Sequence, residues 1–211
     1  MLFRSPVFSA LKILRQREPA IGDTHVAADI GCSTFSTQAP FNVGTSVLGS
    51  GMGLASSSAV SPLFGKRTIS VMGDGGFWHN GLTNGVANAM YNRQDSVLVV
   101  LDNFSAAATG QHHVPSTGKN ARNEPLPMTI PEALRGLGVK WIRTVNSYRI
   151  AEVLATFREA LTTRAAGLKV IIAKNECMLE RQRRERPRVR QLVAAGQEVI
   201  QPRFGVDPDV C

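Results

Sequence analysis

Asp74 stands among three glycines in GDGGFWHNG, residues 73–81, directly after the apolar run TISVM. Glycine removes the Cβ and tolerates positive φ, so a ligand can approach the backbone closely there. The carboxylate supplies a hard oxygen, and Asn103 supplies a second. Asn103 follows SVLVVLD, with 28 residues between it and Asp74. That interval accommodates one helix and one strand, which predicts that the two side chains sit at neighbouring strand tips. Such a pair suits Mg²⁺ on a diphosphate, because the ion takes few protein oxygens and completes its octahedron with phosphate and water. A helix beginning near Asn80 would aim its amide dipoles at the same anion.

The elements that must position these residues can be read from hydrophobic patterning. HVAADI (25–30), TISVM (68–72), SVLVVLD (96–102), KWIRTV (140–145) and KVIIA (169–173) are short apolar or β-branched runs that predict strands. The third and fifth lack clean alternation, as expected of strands buried on both faces. Helices are expected over 6–17, 46–60, 80–92, from Pro131 to Gly136–Gly138, and over 148–164, the last capped by Ser147. Strands alternating with helices predict an α/β fold, a doubly wound, mostly parallel sheet with helices on both faces. Ligands of such sheets bind at the carboxyl ends of strands, which is where Asp74 and Asn103 fall. The stretch 103–128 is rich in Gly, Ser, Pro and Asn without periodicity, so it is read as either a functional or a mobile loop.

Composition narrows the class. With 43% hydrophobic and 19% charged residues in 211, the chain is globular rather than disordered. No run reaches the ~18 apolar residues of a membrane span and no cleavable leader is evident, which makes a cytoplasmic location the expectation, with no membrane partner. Cys32, Cys177 and Cys211 are too few and scattered for a disulfide framework or a zinc site. Cys177, beyond the last strand, has no evident partner. The net charge of +8 is concentrated in ERQRRERPRVR (180–190), six arginines against two glutamates. Without interleaved aromatics or a recognition module it does not read as a nucleic-acid site. It is either a solvated helical face or a surface for an acidic partner.

Four segments in order carry a more specific signal: IGCS at 30–33, GDGGFWHNG at 73–81, LDN at 101–103 and ATGQHHVPSTG at 108–118. Together, over roughly residues 5–176, they resemble the thiamine-diphosphate-binding part of 2-oxoacid:ferredoxin oxidoreductases, with FWH and TGQHH most similar to the indolepyruvate branch. The resemblance implies a thiamine-diphosphate-binding fold and oxidative decarboxylation of a 2-oxoacid, with coenzyme A as acyl acceptor and ferredoxin as electron acceptor. An aryl 2-oxoacid such as indolepyruvate is the implied substrate. A pyruvate or branched-chain oxidoreductase subunit is the alternative, as is a noncatalytic cofactor-binding or assembly fragment. It further implies that Asp74 and Asn103 ligate Mg²⁺ through their side chains and Ser105 through its carbonyl. Gly73, Gly75 and Gly76 would line the diphosphate, while Gly31, Cys32, Ser33, Thr109, Gly110 and Gln111 would contact the cofactor.

Departures from the pattern shape the remaining expectations. Relatives carry Cys-Pro-Gly-Cys before the first helix, where this chain reads MLFRSPVFSALK. PRFGVDPDVC resembles the opening of a ferredoxin-like motif, but Cys211 alone cannot hold a cluster that takes four ligands. Iron–sulfur clusters are therefore expected in the full complex, not held by this chain alone. No stretch resembles the pyrimidine-binding module whose glutamate activates the cofactor, so a partner chain or further domain, and hence an oligomer, is expected to complete the active site. The domain reading is a cofactor-binding domain over 1–176 and a basic linker with the start of a ferredoxin-like segment over 177–211. No catalytic residue is assigned. His79 and His112 are candidates, with local packing or solvation the competing reading, and His113 shares the loop.

Overall fold

The structure, a computed structural model, describes residues 5–200. The chain divides into two compact units, Met1–Cys177 and Met178–Cys211. In the first, six parallel strands form one sheet in the order β2-β1-β3-β4-β6-β5: β1 Val26–Asp29, β2 Ser46–Leu48, β3 Ile69–Gly73, β4 Val97–Asp102, β5 Trp141–Asn146 and β6 Lys169–Lys174. Sequence order reverses direction between β1 and β3. One crossover runs outward from β1 to β2, the next returns past β1 to β3 and the chain goes on to β4, so the crevice lies above the tips of β1 and β3.

Strand β4 shows why its sequence does not alternate. Val97, Val99 and Leu101 face one core while Leu98 and Val100 face the other, and every residue of the strand is buried. On the first face pack α1 Ser5–Arg17, the short α2 Pro19–Gly22 and α7 Ile150–Thr162, through Phe8, Leu11, Leu14, Ile21, Val153 and Phe157. On the second face lie α3 Gly53–Phe64, the helical run 74–91 and α6 Ile130–Gly136, contributing Leu54, Phe77, Val86, Ile130 and Leu134. The run consists of α4 Asp74–Gly76, a π-helix Phe77–Ala87 and α5 Asn88–Tyr91. The sheet is wholly parallel and covered on both sides, as its apolar runs predict.

Three expectations about elements are corrected. The helix expected over 46–60 begins only at Gly53. Its first residues form edge strand β2, because β-branched Thr45 and Val47 favour extended backbone and Gly51, at φ 76°, stops any helix there. The helix expected from Asn80 starts six residues earlier, at Asp74, so the glycines are its first turn rather than a loop before it. Ser147 does not cap α7. Its hydroxyl is buried without a hydrogen-bond partner, and Asn146 Oδ1 accepts the Tyr148 N–H at 2.9 Å instead.

The second unit contains α8 Met178–Ala194, which carries the basic segment and buries none of its described side chains. Arg181 Nε donates to Glu185 Oε1 at 2.8 Å. The PRFGVDPDVC segment with Cys211, like the opening MLFR, lies outside the described residues. Among the described residues no helix is long and apolar enough to cross a membrane.

Candidate functional site

Parallel pairing sets Gly73 opposite Leu101, so the chain leaves β3 and β4 side by side. Asp74 follows at once, 1% exposed, and both its oxygens are engaged. Oδ1 accepts the N–H of Gly75 at 2.9 Å, and Oδ2 accepts those of Ser105 at 2.9 Å and Asn103 at 3.2 Å. The carboxylate thus gathers the backbone beyond β4 around itself. Burial pushes its pKa up to about 7, and the nearby Asp102 carboxylate adds to the rise against those three N–H donors. Asp102 is itself raised by burial, opposed by Lys174 at 4.0 Å. A divalent ion beside this carboxylate would favour its ionised form and lower the pKa again.

The Ser105 hydroxyl lies between Asn103 Oδ1 at 3.2 Å and Gln111 Oε1 at 2.9 Å. Its carbonyl accepts the Ala107 N–H at 2.8 Å and keeps its second lone pair. Among the described residues no cluster of three His, Cys, Asp or Glu could hold a metal alone. The donor set at Asp74 is therefore one carboxylate, one amide oxygen and one carbonyl, a set that fits Mg²⁺ when a bound diphosphate brings further oxygens.

A cavity of about 470 Å³ opens at these strand tips. Of the residues singled out in the sequence, Cys32, Ser33, Gly73, Asp74, Gly75, Gly76, His79, Asn103 and Thr109 line it. Gly31, Ser105, Gly110, Gln111 and His112 are not in its lining, whereas His113 is. Gly31, at φ 99°, sits behind the wall, where a Cβ would come within 3.1 Å of Ala108 Cβ. Gln111 turns away toward Cys177, its Nε2 3.9 Å from the sulfur, so Cys177 does have a neighbour. Cys32 and Cys177 are free thiols. The 103–128 stretch is tied down: Trp78 Nε1 donates to Ser116 Oγ at 3.1 Å, and Thr117 Oγ1 donates to the Phe104 carbonyl at 2.7 Å. Trp78 thereby becomes a fixed aromatic wall.

Asp29 was not among the residues that the sequence brought forward. It ends β1, is 1% exposed, and also lines the cavity. Its Oδ2 accepts the Gly51 N–H at 2.5 Å and its Oδ1 the Gly53 N–H at 2.8 Å. Burial raises its pKa to about 6, with those two donors opposing. The available signal was a carboxylate closing the apolar run HVAAD, directly before IGCS.

Residues 29–173 match the thiamine pyrophosphate enzyme C-terminal TPP binding domain. The chain belongs to that family. Its TPP-binding domain is similar to curated proteins named indolepyruvate oxidoreductase subunit IorA. The Methanothermobacter thermautotrophicus protein is 34% identical over 72% of this chain and 24% of its own length, and that of Pyrococcus abyssi 31% over 87% and 29%. The Archaeoglobus fulgidus protein is 29% identical over 82% and 28%. The chain therefore spans less than a third of the length of these relatives. Among solved structures, a 2-oxoglutarate:ferredoxin oxidoreductase from Magnetococcus marinus superposes with a TM-score of 0.68, at 12% identity, covering 83% of this chain and 62% of that one. A thiamin diphosphate-dependent enzyme from Mycobacterium smegmatis gives 0.53 at 18% identity, covering 80% and 31%. These likenesses bear out the α/β fold and the resemblance read from the four segments.

Proposed function

We propose that this TPP-binding domain holds thiamine diphosphate through Mg²⁺ at Asp74 and Asn103, as one component of an aryl 2-oxoacid:ferredoxin oxidoreductase. The observation that carries the reading is the junction of β3 and β4, where the buried Asp74 carboxylate gathers the backbone of Asn103 and Ser105 and, with Asn103, lines a cavity. Asp74 and Asn103 would hold the ion, with the Ser105 carbonyl as the third protein oxygen. Gly73, with nothing within 4 Å of the place a Cβ would take, gives the diphosphate close access to the backbone. Gly75 and Gly76, packed against Ala106 and Asp29, line the same space with Cys32, Ser33 and Thr109. Bound thiamine diphosphate supplies the carbanion chemistry that 2-oxoacid decarboxylation requires. The chain's own part is to bind, orient and exclude water. Trp78 offers a flat apolar wall suited to an aryl side chain, and the similarity to indolepyruvate oxidoreductase subunits supports that substrate class.

Coenzyme A as acyl acceptor, ferredoxin as electron acceptor, iron–sulfur clusters outside the described residues and a pyrimidine-binding partner module complete the reading. A cytoplasmic setting suits the two free thiols. Titration calorimetry of the isolated chain with thiamine diphosphate tests the reading. Weak binding that requires Mg²⁺ and is lost in Asp74→Ala is expected. Absence of any magnesium-dependent heat in the unaltered chain would leave the proposal without its basis.

A further inference from the structure

We propose that Asp29 is a positioning residue for the cavity, a built-in anion that locks the 49–53 turn against the start of the 74–91 helical run. The sequence of that turn, GSGMG, looks like a glycine-rich phosphate cradle ahead of a helix, since backbone N–H groups at a helix start attract anions. In the structure two of its amides are already occupied by a side chain. Gly51 and Gly53 both donate to the Asp29 carboxylate, at 2.5 and 2.8 Å.

The fit around that carboxylate is close on every side. A Cβ on Gly53 would lie 2.7 Å from Asp29 Oδ1, and a Cβ on Gly76 would lie 2.7 Å from Oδ2. A Cβ on Gly51 would stand 2.6 Å from both the Gly76 carbonyl oxygen and the Gly81 nitrogen. One side chain therefore bonds the tip of β1 to the turn entering α3 and packs against Gly76 in the first turn of the run that begins at Asp74. Two consequences follow. Asp29 holds the turn whose Ser50 lines the cavity, and the Gly51 and Gly53 amides are closed to a ligand anion. The diphosphate is left to the Asp74 side, where the proposed cation would be held.

The inference rests on the diphosphate reading only for its effect on affinity, so its test has two independent arms. The ¹⁵N-labelled full chain and its Asp29→Ala and Asp29→Asn variants are compared by amide NMR and by calorimetry with Mg²⁺ and thiamine diphosphate. In the unaltered chain the Gly51 and Gly53 amide protons are expected far downfield, as charge-assisted hydrogen bonds place them. They move upfield in both variants, and formate, a free carboxylate, returns them in Asp29→Ala while formamide does not. Cofactor affinity falls about tenfold or more in Asp29→Ala, the scale of losing a buried charged acceptor, and formate restores it. Should Asp29→Ala fail to fold, Asp29→Asn, which keeps the volume, carries both readouts. Unmoved glycine resonances, or a loss of affinity that formate leaves untouched, would overturn the assignment. Failure of the unaltered chain to bind the cofactor would instead count against the diphosphate reading and leave the NMR arm intact.

Discussion

At the scale of single residues, the site is governed by carboxylates without buried cationic partners. Asp29 and Asp74 are raised to about 6 and about 7 because burial costs the charged form more than backbone N–H donors return. In the unfolded chain both ionise near the ordinary value of 3.8. Between those limits the folded state binds more protons than the unfolded state, so stability falls as pH rises through the window. Asp102, also raised by burial, adds to the slope, while His25, lowered by burial, opposes it. Urea unfolding of the metal-free chain is expected to give a lower midpoint at about pH 7.5 than at about pH 5. The difference should shrink in Asp74→Asn; a midpoint that rises with pH would contradict the burial account. Asp74 and Asn103 were legible in sequence because glycines and a fixed interval flank them. Asp29 was not, because its partners are backbone amides more than twenty residues away, which leave no side-chain pattern.

Secondary-structure elements explain why so many small residues gather at 49–58 and 73–85. The turn before α3 crosses the helical run at Gly51, whose approach to Gly76 and Gly81 leaves no room for a side chain. Gly51 also has φ 76°, so Gly51→Ala incurs both left-handed strain and a clash, together about 2–4 kcal/mol. Gly65, at φ 59° with open space for 4 Å around the place a methyl would take, is the matched control. Gly65→Ala should cost about 1–2 kcal/mol, from backbone strain alone. Denaturant unfolding of both variants checks the comparison, and equal losses would show that the close approach contributes nothing. Strands were the most readable elements, since burial on both faces writes itself as a continuous apolar run. Edge strand β2 was hidden, being three residues long with no residue fully buried. The early start of the helical run was hidden as well, because glycines read as a turn until Asp74 is seen accepting from the backbone that follows it.

For the molecule as a whole, strand order turns sequence motifs into one place. IGCS follows β1, GDGG follows β3 and LDN closes β4. Because β1, β3 and β4 are consecutive in the sheet, all three motifs meet at the reversal in strand order. Ion pairs gather at the other end of the strands. There the fully buried Lys169 pairs with Asp95, which Arg67 also holds at 2.9 Å, so two cations share one carboxylate at that end. At the carboxyl end Lys174 approaches only Asp102, at 4.0 Å, and among the described residues no cation pairs with Asp74, which is where the proposed Mg²⁺ would add its charge. Substituting Mn²⁺ for Mg²⁺ tests this most directly, through paramagnetic broadening of amide resonances in the isolated chain with thiamine diphosphate present. The account predicts that Gly75, Asn103 and Ser105 broaden first while residues of β5 and the Lys169–Asp95 end stay sharp. Broadening centred away from the β3–β4 junction, or none at saturating cofactor, would contradict it.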